Sequence, residues 1–329
     1  MFGFCWATIV YCPLARWTWS SKGWLYNLPA LDYAGGGPVH IASGCSALAY
    51  ALVLGKRKLG RPEGSREKPH NTTLVFIGTV MIWFGWMGFN VCPYFRCPPW
   101  LLNATKLTCQ GGSTLNASMR AMVAIFNTNA ATCTGVLGWT LVDLIRHRGR
   151  FSVVGACEGA IAGLVGITPG AGFVTPWLAA CIGFITALIC SLLQNVNDWL
   201  HIDEGLDVFK LHGIGGMVGA FLTGIFATQS ISALDGSTYQ GGGLDGNGVQ
   251  IGRQLAEVCA IAGYAFVVSA ALLYVMNWIP GLRLRANEDS EMDGLDETLL
   301  ADEQIGDWSV FSGTGGSASP SQTEVVNVK

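Results

Sequence analysis

Charge is scarce in this chain. Asp, Glu, Lys and Arg make up 12% of its 329 residues, about half of the roughly 25% usual in soluble domains. The formal net charge is −3 and the pI is near 5.9, so there is no broad basic field to neutralise phosphates and nucleic acid is excluded as a partner. The first residues have neither a basic n-region nor a small-residue cleavage site, so they are not expected to be a secretory signal peptide. Histidine is also sparse, at five residues. A membrane oxidase or desaturase needs several clustered metal ligands, and no His-rich box occurs, so neither a cofactor nor enzymatic activity is expected. The eleven cysteines are odd in number. Cys45, Cys133, Cys157, Cys181, Cys190 and Cys259 lie in apolar runs, where a thiol reads as a small packing group. Cys92, Cys97 and Cys109 leave a disulfide open, but no His or further Cys completes a zinc spacing.

What is abundant is apolar. Hydrophobic residues reach 50% and mean hydropathy is +0.40, the composition of an all-α polytopic membrane protein. Its partners are then lipid, small solutes and copies of itself. The 44 glycines allow close helix packing where no hydrophobic drive exists between helices. With about 20 apolar residues per crossing, spans are expected near 2–17, 34–54, 72–90, 119–145, 152–168, 172–194, 208–228 and 252–280, about eight in all. The basic stretches "GKRKLGRPEGSREK" (55–68), "RHRGR" (146–150) and "LRLR" (282–285) fall on one side under strict alternation, and that side is cytoplasmic by the positive-inside rule. The loop 195–207 is acidic and weakens the rule there. The membrane domain is expected over 1–285 and a cytosolic tail over 286–329, acidic and then rich in Ser, Gly and Thr, so largely disordered.

Two stretches fit this pattern badly. About 15 apolar residues precede Arg16, fewer than a crossing requires, so the chain reads as beginning inside a helix. The segment "VCPYFRCPPWLLNATKLTCQ" (91–110) carries prolines that cannot continue a helix.

His70, His147 and His201 lie at loop edges and read as solvated. His40 and His212 are different, because each sits inside an apolar span, and an ionisable group there is costly and normally faces a bundle interior or cavity. For either one alone, a structural hydrogen bond is as good a reading as function. Together, in similar glycine-rich settings, they point to a shared site. An apolar lining disfavours imidazolium, and a neutral imidazole pair offers one donor and one acceptor to a small polar solute. A narrow conduit for a neutral hydrogen-bonding molecule is the physical expectation.

The motifs "LDYAGGGPVHIASG" (31–44), "WFGWMGFN" (83–90), "GACEGAIAGLVGITPGAG" (155–172) and "DVFKLHGIGGMVGAFLTGIFA" (207–227) resemble the ammonium transporter family (Amt, methylammonium permease and Rh proteins), most closely its fungal permeases. The resemblance implies eleven membrane helices in two inverted repeats plus a last helix, a homotrimer, and one pore per subunit for ammonium or ammonia, with methylammonium as analogue and nitrogen uptake as the role. Inverted repeats with a site at their interface are general transporter logic.

On that template His40 and His212 match the paired pore histidines. Phe89 matches a gate above them and Trp86 lines the same helix, although core packing explains both rings equally well. Trp19 matches an outer-vestibule aromatic able to hold a cation by a contact of about 0.5–2 kcal/mol; without the resemblance an interfacial belt residue is an equally good reading. Ser113 matches a hydroxyl that accepts from the recruited cation. Asp32 matches a family aspartate, and locally it is a good N-cap for a helix starting at Tyr33. Glu158 departs from the bacterial pattern and must be paired or protonated, with no partner evident. Ammonium would be recruited and deprotonated outside, ammonia would pass the histidines, and a cation would re-form inside.

Compared with the family, the chain is expected to lack three helices at its N-terminus. Residues 91–110 read as a retained intron, since Val91-Cys92 and Leu107-Thr108-Cys109-Gln110 can be encoded as splice signals. An ammonium sensor and a non-functional fragment are the alternatives to transport.

Overall fold

The structure is a computed structural model and describes residues 1–57, 71–91, 118–286 and Glu291. Ser113, His70, Cys92, Cys97, Cys109, the rest of the 91–110 segment after Val91 and most of the tail lie outside the described residues. The chain divides into two units, Met1–Lys56 with Arg61–Leu284, and Arg57–Gly60 with Arg285–Lys329. In the second unit the Arg285 guanidinium grips Glu291 at 2.6 and 2.9 Å.

The described residues of the first unit form eight rods and contain no strand. α1 covers residues 2–19, as Phe2–Trp6, a π-turn over Ala7–Tyr11, and Cys12–Trp19. It is followed by α2 (Gly36–Leu54), α3 (Thr72–Val91), α4 (Met119–Arg146), α5 (Val153–Ile167), α6 (Pro176–Leu192), α7 (Phe209–Phe226) and α8 (Val249–Trp278). These correspond to the eight expected spans. The sixth begins at Pro176, not near 172, because Thr168 to Phe173 forms turns and Thr175-Pro176 supplies an N-cap with proline in the first turn. By length and composition alone, α2, α3, α7 and α8 can each cross a membrane. α4 is long enough but carries buried Arg120, Asn127 and Asp143, and α5 and α6 are shorter apolar helices.

Local signals set the helix starts. The Ser118 hydroxyl accepts from Ala121 N–H at 3.2 Å and the Ser152 hydroxyl from Gly155 N–H at 3.1 Å, each such cap being worth about 1 kcal/mol. Packing then follows the small residues. α4 lies against α5 and α6, α8 against α2 and α7, and α3 against α5 and α4. Gly44 of α2 meets Gly213 of α7 so closely that an added Cβ would stand 2.1 Å from Gly213 N.

Polar cross-links replace the hydrophobic drive that lipid removes. Trp6 Nε1 and Ser269 Oγ both donate to Ser46 Oγ at 2.8 Å, tying α1 and α8 to α2. Asn90 Nδ2 donates to Thr128 Oγ1 at 2.9 Å. Thr134 Oγ1 donates to Ala180 O at 2.7 Å. The cysteines among the described residues are free: Cys45, Cys157 and Cys190 are buried packing groups, whereas Cys133, Cys181 and Cys259 face outward.

Candidate functional site: a histidine pair on two carboxylate-capped helices

α2 and α7 begin in the same way. Each opens with a six-residue π-turn, Gly36–Ile41 and Phe209–Ile214, a local widening that recurs at functional sites. Each turn holds one histidine. Each start is capped by a carboxylate eight residues ahead of that histidine. Asp32 accepts from Gly35 and Gly36 at 2.7 and 2.8 Å through Oδ1 and from Gly37 at 2.7 Å through Oδ2. Glu204 Oε1 accepts from Val208 N–H and, at 3.1 Å, from Phe209 N–H.

Asp32 is therefore a cap, but the helix starts at Gly36 and not at Tyr33. Gly35 has φ +113°, a left-handed turn that no helix passes through and that glycine adopts without strain. Burial pushes the Asp32 carboxyl up from its ordinary range, and the N–H groups of Gly37, Gly35 and Gly36 pull it back. Burial likewise raises Glu204, against the N–H groups of Phe209 and Val208.

The crossing of α2 and α7 brings the two imidazoles together, His40 Nδ1 standing 3.2 Å from His212 Nδ1 with ring centroids 5.2 Å apart. Trp86 stacks on His40 at 5.1 Å and 16°, and Phe89 lies 5.8 Å from the same ring. Trp86 and Phe89 meet edge to face at 5.5 Å. His40 is 3% exposed and Phe89 39%, so the cluster runs from a sealed centre to an open aromatic edge. His147 and His201 are exposed.

Thr168, which sequence reasoning passed over, organises the cluster. Its hydroxyl donates to Leu164 O at 2.8 Å, accepts from Trp86 Nε1 at 3.0 Å, and stands 3.2 Å from His40 Nε2. With its proton spent on Leu164, the hydroxyl accepts from His40 Nε2–H. Neutral His40 then presents a bare Nδ1, and His212 donates to it from its own Nδ1–H. His212 Nε2 is left as an acceptor.

Trp19 is half-buried, and its Nε1 donates to the backbone carbonyl of Asp32 at 3.1 Å, which fixes the indole against the main chain of the capping residue. Glu158 also finds its partner. Lys210, fully buried, lies 3.4 Å from Glu158 Oε2 and 2.8 Å from Asp207 Oδ2, with its ammonium 5.2 Å above the Trp139 ring. At the opposite end Arg120 donates to Gly172 O at 2.6 Å and Asp235 Oδ2 at 3.0 Å, beside the rings of Phe173, Tyr33 and Tyr239. No group of three or more His, Cys, Asp or Glu side chains that could hold a metal occurs among the described residues.

The described residues form helices without a strand, four of them long and apolar enough to cross a membrane, which is the architecture of a multi-pass membrane protein. The sequence model of the Ammonium Transporter Family matches residues 1–97 and 101–305, and the chain belongs to that family, one of transporters rather than enzymes. It is 45% identical over 305 residues to ammonium transporter 1 of Schizosaccharomyces pombe, covering 92% of this chain and 56% of that one. To ammonium transporter MEP2 of Saccharomyces cerevisiae it is 43% identical over 307 residues, covering 92% and 58%. The crystal structure of Candida albicans Mep2 superposes with a TM-score of 0.78 at 46% identity, covering 88% of this chain and 60% of that one. A solved structure described as a sensor Amt protein gives a TM-score of 0.72 at 29% identity, over 89% and 67%. The chain thus spans little more than half the length of these first two relatives.

Proposed function

We propose that this chain conducts ammonium, as ammonia, across the membrane, and that its pore runs past Phe89, Trp86, His40 and His212. The observation that carries the reading is the His40–His212 pair in an apolar interior. A desolvated cation is expensive in such a lining, whereas a neutral molecule with one lone pair and three N–H groups can exchange hydrogen bonds with the His212 acceptor. Trp19, Asp32 and Ser113 supply the outer recruitment site, where an indole face and a carboxylate both favour a cation. Potassium has no proton to leave behind and no hydrogen bond to donate, so the conduit rejects it. The subunit works in a homotrimer in the plasma membrane, with its C-terminus in the cytoplasm.

The test is methylammonium uptake in cells lacking other permeases. His212→Ala removes an imidazole but no backbone bond, so the protein still inserts while uptake is lost or its selectivity against potassium collapses. Unchanged rate together with unchanged selectivity would sink the reading. Sensing is the second reading, favoured by the likeness to the sensor Amt structure. Deleting the tail after Arg285 would then abolish an ammonium-dependent signal while uptake continues.

A further inference from the structure

α8 turns a polar ladder towards the start of α2. Gln250 Nε2 donates to Pro29 O at 3.0 Å, and Gln254 clasps the Leu31 backbone, accepting from its N–H at 2.6 Å and donating to its C=O at 2.8 Å. The second hydrogen of that amide goes to Glu257 Oε2 at 3.1 Å. Glu257 itself is fully buried, and its Oε1 has no hydrogen-bond donor. Asp32 is its neighbour beside Gly37. A methyl group at Gly37 would meet Ile261 Cδ1 at 2.4 Å, Glu257 Oε1 at 2.9 Å and Asp32 Oδ2 at 3.3 Å, so the two carboxyl oxygens border one methyl-sized spot beside an apolar side chain.

Among the described residues no ion pair includes Asp32 or Glu257. Two like charges so close, in a medium of low dielectric and without a cation, cannot both persist. Asp32 has three backbone donors, which favour its anion. Glu257 has one neutral amide donor and a bare oxygen, which favour its acid. A single proton on Oε1 satisfies both residues at once, as a charge-assisted O–H···O bond to Asp32 Oδ2.

We propose that Glu257 stays protonated and donates to Asp32, so that the pair carries one negative charge, fixed on Asp32 beside Trp19. Glu257 is then a positioning residue for the recruitment site, an inference that rests on the transport reading of that site. Gly37 leaves room for this contact and for the Ile261 methyl, which a Cβ there would meet at 2.4 Å.

Infrared difference spectroscopy of the purified full chain at neutral pH reads the proton directly. Wild type minus Glu257→Gln should show a protonated-carboxyl stretch that shifts in deuterium oxide; loss of a carboxylate band in its place would overturn the proposal. Asp32→Asn serves as a second variant if Glu257→Gln does not fold. Its amide N–H can satisfy Oε1, so the protonated band should disappear, and a band unchanged in frequency and amplitude would overturn the shared proton.

In uptake, Glu257→Gln keeps a donor to Asp32 and should retain the wild-type rate and pH profile. Glu257→Leu should weaken apparent affinity about tenfold, the cost of one hydrogen bond to a charged group. A folded Glu257→Gln that transports nothing would overturn the holding role, since the proton would then have to leave Glu257 in each cycle. If wild type itself shows no uptake, the transport reading fails while the infrared band still decides the state of the pair.

Discussion

Lys210 places its ammonium 2.8 Å from Asp207 and 3.4 Å from Glu158 with none of its side chain in contact with solvent, two residues before His212. A cation so placed is a structural charge for two carboxylates. Removing it leaves both without their shared partner, and breaking a buried pair in this way costs about 3 kcal/mol. Lys210→Met is therefore expected to lower the melting temperature in detergent, and adding Glu158→Gln to recover part of the loss. Identical melting of wild type and Lys210→Met would show that the network contributes nothing.

Thr168→Val keeps shape but strands two N–H groups, those of Trp86 Nε1 and His40 Nε2. Each loses its acceptor, His40 in a buried setting and Trp86 in a half-buried one. Methylammonium uptake is expected to fall about tenfold, as one unsatisfied buried donor implies, with expression unchanged. Thr168→Ser keeps the hydroxyl and should transport normally. If Val and Ser behave alike, the hydroxyl does not set the tautomer of His40.

Trp19→Leu keeps apolar bulk and removes the π-face. Apparent affinity for ammonium is expected to weaken by about 2- to 30-fold, the equivalent of roughly 0.5–2 kcal/mol, with little change in maximal rate. A fall in expression alone would make Trp19 a packing residue beside Asp32.

The Arg120–Asp235 contact predicts a pH dependence. Burial alone would raise the Asp235 carboxyl, but the Ser237 hydroxyl and the Arg120 guanidinium outweigh it and hold the group below its ordinary 3.8. A depressed carboxylate contributes stability above its unfolded pKa and loses that contribution as pH falls through the folded value. The melting difference between wild type and Asp235→Asn should be constant from neutral pH down to the ordinary aspartate range, then shrink on further acidification. A difference that grows in acid would reverse the assignment.

The eight rods were legible in the sequence because an apolar run of crossing length has few other readings. His40 and His212 were legible for the complementary reason, since ionisable groups stand out against such runs. Thr168 did not stand out, because a threonine in an apolar span reads as packing until its three hydrogen-bond neighbours are known. Lys210 could have been found. The cost argument that demanded a partner for Glu158 applied equally to a lysine inside the next span but one, and opposite charges in one apolar setting attract. Glu257 shows the limit of reading along the chain: Asp32, which borders the same spot at Gly37, lies 225 positions earlier, and only the fold brings α8 to the start of α2. The expected helix start at Tyr33 slipped by three residues because a run of three glycines permits either start, and the left-handed turn at Gly35 decides between them.

Where Gly44 meets Gly213, main chain rests on main chain, and both imidazoles ride on that joint. Nothing in it can be compressed or re-rotated, as a leucine or methionine contact could be. The spacing of the histidines is thus inherited from the peptide backbone, whose dimensions are the same in every protein. Evolution can change the side chains above and below this point without moving it. It cannot change the spacing of the histidines by small steps at Gly44, because a single methyl there already meets the Gly213 backbone at 2.1 Å.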